Sequence, residues 1–160
     1  MKELVFFLEE ESARSLLQSL LPRFLSPEIS PRFIPFEGKQ DLERQLVRRL
    51  RGYLNPSARF IVLRDQDSSP DCASIKANLL EQCRLAGKES VSLVRIACRE
   101  LESFYLADLG AVEAALGLKN LVRQQARAKF RAPDNLGSPS HELRKLTGNR
   151  YQKVSGSREI

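Results

Sequence analysis

One hundred and sixty residues, 42% of them apolar, suffice for one cored domain and do not suggest two independent ones. The longest unbroken apolar run is residues 4–8, far short of the roughly 20 that a membrane span needs and of the apolar stretch of a signal sequence, so no membrane-inserting class is expected. The net charge of +6 is uneven: residues 119–160 hold ten Lys or Arg against three Asp or Glu, while residues 1–118 come to −1.

A basic run of this kind is either a solvated surface or an arm that tracks phosphates, and charge alone leaves both open. Cys72, Cys83 and Cys98 are odd in number and form no CxxC pair. Neither a disulfide framework nor a zinc site is indicated, and a reducing cytoplasm is the expected compartment.

In chain order, residues 4–8 (LVFFL) predict a central strand covered on both faces. Ser12 can cap the helix that follows, in which Ala13, Leu16, Leu17, Leu20 and Leu21 recur at helical spacing before Pro22. Residues 32–36 predict a second strand. Gly38 opens an amphipathic helix with Leu42, Leu46 and Leu50 on one face and Arg44, Arg48, Arg49 and Arg51 on the wet one. Residues 59–63 (RFIVL) predict a third strand, residues 71–85 a helix ended by Gly87, and residues 91–97 (VSLVRIA) a fourth strand. Beyond it the chain reads as helical to Lys129 and loop-rich thereafter. Three βα steps into a fourth strand imply an α/β, Rossmann-like fold with a mainly parallel sheet.

In open parallel sheets, ligands bind outside the carboxyl ends of the strands. Two of those ends are acidic here: Glu9, Glu10 and Glu11 follow the first strand, and Asp65 and Asp67 follow the third. If those strands are neighbours, Glu9 converges with the Asp pair, and crowded carboxylates call for a hard cation such as magnesium or manganese. Taken singly, each motif also fits a helix first turn or a turn signal. After the fourth strand, Leu101, Phe104, Tyr105 and Asp108 share a helix face flanked by Glu100 and Glu102, only one of which is placed to reach a metal.

The blocks LVFFLEEESA, FEGKQDLERQL, FIVLRDQDS and RIACRELESFYLAD resemble a bacterial Toprim-like family, domain of unknown function family 4276, related to the Toprim nucleases of OLD-type proteins. The resemblance covers about the first 110 residues and continues more weakly through YQKVSGSREI. It implies a Toprim-like metal-binding core over residues 1–118, with a basic helical and loop tail over 119–160 packed on the core or extending from it. It also implies a magnesium-dependent nuclease in phage defence beside an ATPase of the AAA type, and relatives that run on past Ile160.

By position, Glu9 corresponds to the Toprim glutamate, Asp65 and Asp67 to its Asp-x-Asp, and Glu102 to the acid of a Glu-x-aromatic block whose Phe104 is an apolar anchor. Glu10 stands where many Toprim chains have Gly.

The expected chemistry is two-metal phosphoryl transfer, with Asp65 and Asp67 as metal ligands, Glu9 as ligand or general base and Glu102 as an outer ligand. Glu10, Glu100 and Asp108 are secondary acidic candidates. Lys153 is the candidate for neutralising transition-state charge, and Arg123, Arg127, Lys129, Arg131 and Lys153 are the candidate nucleic-acid contacts. Gly38-Lys39 lacks the rest of a phosphate loop, and the single His141 lacks a triad partner. Two rivals stay open: a haloacid-dehalogenase-type phosphatase with Asp65 as nucleophile, and a non-catalytic Toprim-like module that binds nucleic acid or an ATPase. DNA and RNA, and monomer and homodimer, are equally compatible with the sequence.

Overall fold

The structure, a computed structural model, describes residues 2–160. The apolar runs become β1 (Lys2–Leu8), β2 (Ile29–Pro35), β3 (Arg59–Asp65) and β4 (Ser92–Ala97), hydrogen-bonded in the order β2-β1-β3-β4 with every pair parallel. The inner strands β1 and β3 carry the longest unbroken apolar runs, LVFFL and FIVL, as burial on both faces requires. At the edge, β2 carries Pro31 and Pro35, which an inner strand would not tolerate.

Side-chain alternation divides the core in two. Val5, Phe7, Phe60, Val62 and Val94 pack under α2 (Lys39–Arg51) and α3 (Cys72–Leu85), which contribute Leu42, Leu46, Leu50, Ile75 and Leu79. Arg44, Arg48, Arg49 and Arg51 are exposed, as the helical spacing predicts. Phe6 and Leu8 face the opposite layer: α1 (Glu11–Leu20), α4 (Glu102–Leu106), α5 (Leu109–Ala115), α6 (Ala128–Arg131), α7 (Pro139–Leu146) and α8 (Lys153–Glu159). No helix among the described residues is long and apolar enough to cross a membrane.

Three local expectations are corrected. Ser12 does not cap α1: the extended Glu10 is the N-cap residue, and Ser12 is buried one turn in. Ser12, Ser15 and Ser19 lie on one helix face, where the Ser19 hydroxyl donates to the Arg158 carbonyl at 2.9 Å, so small side chains let α8 pack closely on α1. The helix predicted to continue to Lys129 is interrupted, because Gly117 and Asn120 adopt left-handed conformations and residues 122–126 form only a 3₁₀ turn. Finally, the stretch predicted to be loop-rich contains α7 and α8. Its Phe130, Leu143 and Tyr151 join Phe6, Leu8 and Leu101 in one cluster, so residues 119–160 pack on the sheet.

Gly156 is the tightest point of that packing: a Cβ there would stand 2.6 Å from Cδ2 of Tyr151. Gly156→Ala is therefore expected to destabilise by about 1–2 kcal/mol, the overpacking cost exceeding the gain in helix propensity. Thermal melts followed by circular dichroism check this, with Gly137→Ala, which meets no atom within 4 Å, as the silent control.

A candidate acidic site at the carboxyl edge of the sheet

Parallel pairing puts the ends of β1 and β3 side by side, with Leu8 opposite Leu63. The Glu9 amide donates to the Leu63 carbonyl at 3.2 Å, and the Asp65 amide donates to Oε2 of Glu9 at 2.9 Å. Asp65 is the last residue of β3 and follows Ile61 and Leu63 on the face turned to α4, where it is 8% exposed. Burial, then the charges of Glu9, Glu102 and Glu10, push its pKa up to about 8, and the backbone N–H of Leu101 offsets this only in part. Glu9 is raised as well, chiefly by burial and further by Asp67 and Glu10.

From the helical layer, Glu102 meets this pair. It begins α4 at 1% exposure, and its Oε1 accepts the Tyr151 hydroxyl at 2.9 Å. Its other oxygen, Oε2, and the hydroxyl of the buried Tyr105 have no hydrogen-bond partner among the described residues. Burial raises the pKa of Glu102. Lys153, at the start of α8, brings a cation to this group and ion-pairs with Glu10. Burial works against the charged ammonium, but Glu10, Glu102 and Asp65 together hold its pKa up.

Asp67 stands apart from Asp65. Its left-handed backbone, with φ of 54°, turns the chain after β3, and its amide donates to the Arg99 carbonyl at 2.6 Å. Its carboxylate pairs with Lys39 at 2.9 Å, at the start of α2. Glu9 lies between the two, bonded to the Asp65 amide and within the field of Asp67. Lys39, discounted on the sequence with Gly38, thus becomes a cation at the rim of the site. The Gly38 amide donates to the Glu9 carbonyl at 2.9 Å and fixes that approach.

The remaining candidates divide. Glu100 accepts the Ser140 amide at 2.6 Å at the start of α7, and Asp108 caps α5 through the Ala111 amide at 3.0 Å. Both acids thus satisfy helix N-termini. Phe104 is 48% exposed and is no anchor, because α4 presents Leu101, Tyr105 and Leu106 to the core. Arg123, Arg127 and Arg131 are exposed, Lys129 pairs with Glu142 at 2.7 Å, and His141 is exposed. Tyr151, Tyr105 and Lys39 are the site neighbours that sequence reasoning missed. Only the YQKVSGSREI block pointed toward the first of them.

Among the described residues, no three Asp, Glu, His or Cys side chains already stand in a ligating arrangement. The donor set nevertheless fits a hard divalent cation: three crowded carboxylates from β1, β3 and α4 and an unpartnered buried oxygen on Glu102.

The pH dependence has a definite sign. With Asp65 raised from an ordinary 3.8 to about 8, the folded chain holds a proton that the unfolded chain releases. Its contribution to stability is therefore present in acid and is lost as pH rises through that window. Metal-free protein is expected to melt at lower temperature at pH 8 than at pH 5, and Asp65→Asn to shrink that difference. Equal differences in both proteins would assign the dependence to other groups.

The family model described as "Domain of unknown function (DUF4276)" matches residues 8–160. No curated protein and no solved structure matches the chain. The match runs through both halves of the acidic edge, from Glu9 to Lys153, and the chain belongs to the DUF4276 family.

Proposed function

We propose that the chain is a Toprim-type nuclease that hydrolyses nucleic-acid phosphodiesters with magnesium or manganese. The observation that supports this most is the convergence of Glu9, Asp65 and Glu102 at the carboxyl edge of a parallel sheet, with one oxygen of Glu102 buried and unpartnered. Crowded carboxylates in burial repel each other and hold protons that a cation would displace. Asp65, Glu9 and Glu102 would hold the metal, with Asp67 reaching it on release from Lys39. Bound there, the ion would supply Lewis acidity toward a phosphate oxygen and an acidified water.

The chain's own residues supply the rest. Tyr151 orients Glu102 by occupying Oε1, which leaves the buried Oε2 free for a ligand role. Lys153 and Lys39 stand on opposite sides of the carboxylates, each held by an acid that it can leave for a phosphate. Arg123, Arg127, Lys129 and Arg131 extend the basic surface over which a strand would lie. An AAA-type ATPase partner and a place in defence against phage belong to the same reading, on the resemblance of the sequence blocks.

Calorimetry with manganese on the isolated chain, together with cleavage assays in magnesium, manganese or chelator, tests the proposal. Asp65→Asn and Glu102→Gln are expected to weaken manganese binding at least tenfold. Cleavage is expected to need the metal and to fall at least a hundredfold in Asp65→Asn and Asp67→Asn, with circular dichroism unchanged. Full cleavage by Asp65→Asn, or cleavage in chelator, would sink the assignment.

A further inference from the structure

A second feature lies outside the acidic edge, where the turn at residues 119–121, the 3₁₀ turn at 122–126 and the last turn of α7 enclose an open cleft of about 350 Å³. That volume is within the range of small-ligand sites and suits one nucleotide unit. Lys119, Arg127, Lys129 and Lys145 line it, and Glu142 is the only acid among its lining residues.

Glu142 offsets only part of that charge, one acid against four cations. Its carboxylate is held by Lys129 at 2.7 Å, and the Lys129 ammonium also lies 4.8 Å from the centre of the Phe130 ring, so that pair forms a fixed wall. Lys119, Arg127 and Lys145 form no ion pair among the described residues, although Lys145 lies within the field of Glu142. Three cations converging on one concavity repel each other unless an anion enters. Arg127 is also oriented: its Nη1 donates to Oε1 of Gln124 at 3.0 Å. Gln124 and Asn120 add amide groups to the lining, and Leu121 and Leu146 are its apolar members. A guanidinium, two ammoniums and neutral amides beside two leucines match a phosphate with its sugar or base more closely than a carboxylate metabolite.

We propose that this cleft is a phosphate-binding site, separate from the acidic edge, that seats one nucleotide unit of a nucleic-acid strand through Lys119, Arg127 and Lys145. It deepens the nucleic-acid reading above, because it selects Arg127 from the basic surface, adds Lys119 and Lys145, and leaves Arg123 and Arg131 outside. A strand held there is anchored independently of any metal.

The test is fluorescence-anisotropy titration of the full chain with a single-stranded oligonucleotide, in chelator so that no cleavage intervenes. Lys119→Met/Lys145→Met is expected to lose at least tenfold in affinity and to lower the log-log salt slope by about 0.7, the share of the one phosphate that the cleft seats on a single strand. Arg144→Met/Arg150→Met removes the same charge from exposed positions outside the lining and is expected to stay within twofold of the parent. Equal losses in the two double variants would overturn the proposal in favour of diffuse charge, as would absence of oligonucleotide binding by the parent chain.

A nucleoside monophosphate and inorganic phosphate are the other probes. Binding of either as tight as that of the oligonucleotide would overturn the strand assignment and make the cleft a small-molecule site. Manganese calorimetry on Lys119→Met/Lys145→Met is expected to match the parent chain, so failure of the cleft and failure of the metal assignment are read separately.

Discussion

A carboxyl group that ends an inner strand beneath a helical layer has to be met by a proton, a cation or a set of donors, because the charge has lost its water. Asp65 is in that position, and what surrounds it deepens the problem. Glu9 and Glu102 add like charge from β1 and α4, and the Leu101 amide is the one donor that eases it. Lys153 supplies positive charge, although its direct partner is Glu10. A chain selected for stability alone would place an apolar residue at the end of β3, as it does at Leu8 and Leu63.

The topology makes this crowding unavoidable once the residues are chosen. With all four strands parallel and β1 beside β3, both carboxyl ends open on one edge. Alternation along β3 then sends Arg64 toward α2, where it pairs with Glu43, and Asp65 toward α4. Two residues later the left-handed Asp67 reverses toward Lys39. The Asp-x-Asp spacing therefore distributes its two carboxylates to the two sides of the sheet edge, with Glu9 between them. A second left-handed residue, Arg99, receives the Asp67 amide on its carbonyl, so the loops after β3 and β4 are laced together beside the acids. Non-glycine residues in that conformation cost free energy, and they concentrate where geometry serves a site.

The inner half of this arrangement was legible in the sequence. Unbroken apolar runs identify β1 and β3 because burial on both faces leaves no polar alternation. The acids that follow them fall on one edge as soon as the strands are parallel neighbours. Glu102 was legible only through the resemblance, since helix geometry left Glu100 and Glu102 equivalent. What separates them is Ser140, an amide 40 residues away that engages Glu100.

The partner of Glu102 was legible only as part of the weakly resembling YQKVSGSREI block, with no role attached. Tyr151 lies 49 residues further on, in a stretch whose Gly148 and Gly156 read as breakers. Gly156 breaks nothing: it is small because the Tyr151 ring lies against it. Lys39 was missed for a related reason: Gly38 reads as the start of a helix, but nothing in the sequence places that start beside Asp67.

The C-terminal segment is consequently a component of the site. The Ser12, Ser15 and Ser19 face of α1 admits α8 at close range, and Gly156 and Ser157 are the buried positions of that helix. Their smallness sets how far the Tyr151 ring penetrates, and the Ser157 hydroxyl lies 3.3 Å from that of Tyr151. The ring carries its hydroxyl to Glu102, and the first residue of α8 is the Lys153 that faces the same acids. One short helix thus sets both the orientation of the deepest carboxylate and the position of a cation that faces it. A change in its docking would move both together, so the electrostatics of the acidic edge depend on packing between the two ends of the chain.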